Sequence, residues 1–75
     1  MRIVFTKHVE DMLAERRLSR DLVVDTVWSP EWREAGEGNV WYAFRRVGAK
    51  VIRVVIADEG DTQVVQSRYF DRRVR

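Results

Sequence analysis

Two spacings of apolar residues divide the chain at Pro30. Before it, the short run Arg2 to Phe5 (RIVF) reads as a brief strand. Thr6 follows as a helix N-cap, and Val9, Met12 and Leu13 recur at the interval of a half-buried helix over Lys7 to Arg17. Glu10 and Asp11 near its start, and Arg16 and Arg17 at its end, suit the helix dipole. Ser19 supplies a second N-cap with Asp21 in the first turn, and Leu22, Val23, Thr26 and Val27 carry an apolar stripe to about Trp28. Pro30 disfavours helix beyond Ser29. The pattern predicts two short helices joined tightly at Leu18-Ser19.

Beyond Pro30 the period falls to two. Strands are expected over Trp32–Ala35, Val40–Arg46, Val51–Ala57 and Thr62–Phe70. The intervening turns are Gly36 to Asn39, Val47 to Lys50 and Asp58 to Asp61, where Gly and Asn tolerate positive φ. These connections are too short for parallel crossovers, so an antiparallel meander follows. The expected whole is one α+β domain over residues 1–75. A short N-terminal strand leads into a two-helix hairpin packed on an antiparallel three- to four-stranded meander.

The strands carry more apolar surface than one packed face requires. Ile52, Val54 and Ile56 share one side of their strand, while Val51, Arg53, Val55 and Ala57 share the other. Tyr42 and Phe44 lie on one face, and Trp41, Ala43 and Arg45 on the reverse. Strict alternation sets Val64 with Gln66 and Arg68, and Val65 with Ser67 and Tyr69. A sheet with a solvated face normally alternates apolar with polar residues. The second face is therefore expected to meet something: a homodimer copy or the C-terminal tail, or an RNA held by aromatic and arginine groups.

Composition narrows the classes. The chain has 75 residues and no cysteine, so apolar packing, or partly an oligomer or a partner, must stabilise it without disulfides or a thiolate metal site. No apolar run approaches the roughly 20 residues of a membrane span, and no signal peptide is visible, so a cytoplasmic protein with no membrane partner is expected. The net charge is only +2, yet 12 of the 14 basic residues are arginine. That preference suits phosphate recognition and ring stacking, and it equally fits a GC-rich genome or a heat-tolerant source.

One histidine and dispersed acids do not make a metal site, and GEGN at Gly36 to Asn39 lacks the lysine of a phosphate loop. No cofactor is implied, and no nucleophile elbow surrounds a serine. Metal-free acid–base chemistry remains. RNA cleavage needs a base, an acid and cations for the phosphoryl charge, and His8, Arg16, Arg45, Arg53, Arg68 and Tyr69 are of those types. Each also has a plain structural reading: His8 and Arg16 as solvated helix residues, Arg45 and Arg53 as cross-strand charges, Tyr69 as core.

The segments FTKHVEDMLAERRLSRDLVVDTV and YAFRRVGAKVIRVVIADEGDTQVVQSRY resemble the bacterial family catalogued as domain of unknown function 4258, over Phe5 to Tyr69. His8 matches that family's helix-opening histidine, Glu15-Arg16 its ER pair, and Leu18-Ser19 its hydrophobic-Ser step. Arg45 or Arg46 and Arg53 match its basic strand positions, and Ser67 and Tyr69 its closing Thr and Tyr. Met12 stands where the family often has arginine, and Arg17 where it has glycine. The resemblance implies kinship with RelE/ParE-like and BrnT-like toxins and the strand–helix–helix–meander fold. It also implies a toxin–antitoxin role, either cutting RNA or, as in ParE-like toxins, binding another target, and the leading expectation is a metal-independent ribonuclease or RNA-binding protein. On that reading His8 is general base or acid, Arg45 and Arg53 clamp phosphate, Tyr69 positions or donates, and Arg16, Arg46, Ser67 and Arg68 contact RNA. The alternative is a non-catalytic interaction module that binds itself or an antitoxin through the second sheet face.

Overall fold

The computed structural model describes residues 1–16 and 19–71; the side chains of Glu15, Arg16, Tyr69 and Asp71 lie outside that description. The order is β1 (Arg2–Phe5), α1 (Lys7–Arg16), α2 (Arg20–Trp28), β2 (Trp32–Ala35), β3 (Val40–Val47), β4 (Lys50–Glu59) and β5 (Thr62–Asp71). The strands form one five-stranded sheet in the order β1-β5-β4-β3-β2.

Both helix starts are fixed by their caps. Thr6 Oγ1 accepts from Val9 N at 3.3 Å, and Ser19 Oγ accepts from Leu22 N at 3.1 Å. Each bond satisfies an amide that has no partner within its helix. Ser29 N donates to Asp25 O at 2.8 Å and closes α2 just before Pro30. Ser19→Ala is expected to lower unfolding free energy by about 1 kcal/mol in urea denaturation, and Ser19→Gly by only a few tenths. The tight joint expected at Leu18-Ser19, like Arg17, includes positions outside the described residues.

Register assigns the paired strand residues to a face, because directly opposed residues of antiparallel strands point the same way. Ala43, Ile52, Val54, Ile56 and Val65 lie on one face and join Val9, Leu13, Val23 and Val27 of the helices in a single buried cluster. Ile3, Phe5 and Phe70 pack against its margin. Both helices thus cover one face, and the core lies between. Val40, Tyr42, Phe44 and Arg46 of β3 share the reverse face with Val51, Arg53, Val55 and Ala57 of β4.

Two expectations change. The sheet has five strands and is mixed, because β1 pairs with β5 in parallel, Phe5 against Val65. Turn length restricts only consecutive strands; β1 reaches β5 across the whole chain, so a long crossover separates them. Second, a bulge breaks the alternation in β5: Val55 stands opposite Ser67, but Ile56 opposite Val65. Gln66 is the extra residue, and it moves Val65 to the side of Arg68 and Val64 to the side of Ser67. Without that shift either Val65 or Arg68 would change faces. Two hairpins turn through Gly48 (φ 62°) and Gly60 (φ 78°), where a side chain would be strained.

Candidate nucleic-acid interface on the open sheet face

The face turned away from the helices is ordered by rings and cations. Trp32 of β2 stands opposite Phe44 of β3 and stacks on it, with ring centres 5.0 Å apart and planes inclined by 4°. On the other flank of Phe44, Arg53 of β4 is its register partner, with a guanidinium 5.4 Å from the Phe44 ring and 4.5 Å from the Tyr42 ring. Arg46 lies 5.8 Å over the Trp32 ring. A row Arg46–Trp32–Phe44–Arg53–Tyr42 therefore crosses three strands. Such contacts fix an arginine against a ring quadrupole while lowering its loss of freedom on binding.

Burial grades along the row. Phe44 is 1% exposed, although no helix covers it; its neighbours on the face enclose it. Trp32, Tyr42 and Arg53 are half-buried, and Arg46 is exposed. Half-buried Val40, Val55, Val64 and Ser67 continue the face toward β5. Glu34, opposite Tyr42, adds one exposed acid. The Glu31 carboxylate accepts from the backbone N of Arg46 and so ties the entry of β2 to β3.

The residues expected to act are split between the two sides. Arg46, Arg53 and Ser67 share the open face, and Tyr69 stands opposite Arg53 in the register, its side chain outside the described set. Arg45 is opposite Ile52 and belongs to the helix side, so Arg45 and Arg53 do not form one clamp. Their positions differ by an even number in sequence, but the β3–β4 turn sets the pairing that decides the face. His8 is exposed in the first turn of α1, a helix packed on the covered side through β5. Arg68 is 2% exposed on that covered side, opposite Val54, so it offers no surface contact to RNA. The bulge at Gln66 is the cause. Arg16 is another position whose side chain lies outside the description.

Trp32 was not singled out by sequence reasoning, and Phe44 was placed only on a face with Tyr42. Three tryptophans in so short a chain were a signal, but the stack depends on register. Among the described residues no three His, Cys, Asp or Glu side chains are grouped to hold a metal ion, and no helix is long and apolar enough to cross a membrane. Comparison with family models, curated proteins and solved structures gave no significant match.

Proposed function

We propose that this chain is a toxin-like RNA-binding protein of RelE-like architecture that takes single-stranded RNA on its open sheet face. The observation that carries the reading is Arg53 set against both Tyr42 and Phe44, with Arg46 over Trp32 a strand away. Unstacked bases find ring surface there, and the phosphates find cations on the same surface. The strand–helix–helix–meander order and the resemblance at His8, Arg53 and Ser67 support a toxin–antitoxin setting.

Binding is better supported than cleavage. A metal-independent ribonuclease needs a proton-transfer group beside the bound phosphate. His8, the residue of choice near neutral pH, lies on an element of the covered side. His8→Ala is expected to leave RNA affinity within about twofold, because it removes neither a ring nor a cation of the face. Fluorescence anisotropy with a labelled single-stranded RNA checks this, and a gel assay in EDTA on the same samples reads any cleavage. A large loss of affinity in His8→Ala would move the site to the helix side.

The half-buried valines Val40, Val55 and Val64 favour a second reading, a homodimer or antitoxin interface on the same face. Sedimentation across a range of concentrations separates the two: a monomer that binds RNA supports the first.

A further inference from the structure

At the β2 edge of the sheet, the outermost strand and the end of α2 border a cleft of about 680 Å³, with Glu34 and Val40 at its rim toward the open face. Met1, Trp28, Arg33, Ala35, Trp41 and Gln63 are among the residues that line it. Met1 is 54% exposed and Trp28 55% exposed, and they are the two large apolar side chains that stand out among the described residues. Both border this one cleft. Hydrogen bonds link the residues of its floor: Trp41 Nε1 donates to Gln63 Oε1 at 3.0 Å, and Gln63 Nε2 donates to Asp58 Oδ1 at 2.7 Å. Arg33 lies over the Trp41 ring at 5.3 Å.

The same place has an open sheet edge. β2 is the last strand of the sheet, and Arg33, Glu34 and Ala35 are exposed. Gly36 N donates inward to Val40 O at 2.8 Å. By alternation Glu34 and Trp32 also turn their backbone groups toward β3, so Arg33 and Ala35 turn theirs outward. Both residues line the cleft, as does Glu34 between them, and the register puts Arg33 opposite Ala43 and Ala35 opposite Trp41, on the helix side of the sheet.

We propose that this edge and cleft bind an extended segment of a partner protein, added to β2 as a sixth strand with one apolar side chain seated in the cleft. Backbone pairing would come from Arg33 and Ala35, and selectivity from the pocket beside them. The small Ala35 leaves room for the anchor against Trp28, and Arg33 calls for an acid two residues away on the same face. An antiparallel segment then reads apolar–x–acidic, and a parallel one acidic–x–apolar. A second copy of this chain fits poorly: paired β2 edges centred on Glu34 set Arg33 against Ala35, with neither the acid nor the anchor.

Selection of a displayed random heptapeptide library on the intact protein tests this. Enrichment of one of the two alternating patterns is expected. A synthetic selected peptide should lose at least tenfold in affinity to Trp28→Ala and to Arg33→Ala, and a similar factor when its strand-pairing amides are N-methylated. Arg53→Ala should leave its affinity unchanged, which separates this site from the open face. Both cleft substitutions replace exposed side chains, and circular dichroism confirms that the variants fold. No enrichment above background, or binders indifferent to Trp28→Ala and Arg33→Ala, would overturn the proposal. So would self-association of the chain that the same two substitutions abolish, which would make a second copy the occupant.

Discussion

Phe44→Ala is expected to lower unfolding free energy by about 3–5 kcal/mol, the usual cost of emptying a buried aromatic site. The side chain is 1% exposed and stacked on Trp32, so little around it can relax into the space. A domain of this size has about 5–15 kcal/mol at most to lose, so the variant stands near the edge of folding. Urea denaturation of Phe44→Ala and Phe44→Leu measures the effect. The leucine variant keeps most of the burial but not the ring stack, and is expected to lose less than half as much. A cost below about 1 kcal/mol for alanine would mean that the open face does not contribute to the fold as its burial implies.

The second large effect falls on binding. Arg53→Ala is expected to weaken single-stranded RNA binding by tenfold or more, and Arg53→Lys is expected to restore only part of it. Lysine keeps the charge but loses the planar group that lies against Tyr42 and Phe44. Stability should change little by comparison, since the rings remain. A salt titration gives an independent reading: each lost phosphate contact should reduce the slope of log affinity against log salt by about 0.7. Equal affinity in wild type and Arg53→Ala would remove this residue from the interface.

Much of the fold is visible in the chain because the local signals agree. Thr6 and Ser19 mark the helix starts, Pro30 limits the second helix, and Gly48 and Gly60 mark two of the turns. The strand Trp32–Ala35 falls where its alternation places it. The parallel pairing of β1 with β5 has no local mark, since it joins segments from the two ends of the sequence. The bulge at Gln66 is equally silent, yet it decides that Arg68 is buried and Ser67 is not.

The candidate site was legible in its residue types and not in its geometry. Arg53 with Tyr42 and Phe44 could be placed on one surface by alternation plus a correct β3–β4 register. Trp32 joined them only through the β2–β3 pairing. Arg45 shows the reverse case: a cation suited to phosphate by type is turned away from Arg53 by a single step of register. Residue type names the chemistry, and the pairing of strands decides which residues share it.

The central claim is that RNA meets the open face. Its most direct test is a titration of the amide-nitrogen-labelled protein with single-stranded RNA of about 10 nucleotides, followed by backbone chemical shifts. The account predicts a contiguous set of shifts at Trp32, Tyr42, Phe44, Arg46, Arg53 and Val55, with α1 and α2 unaffected. Shifts centred on His8 and the first turn of α1, or none at saturating RNA, would contradict it.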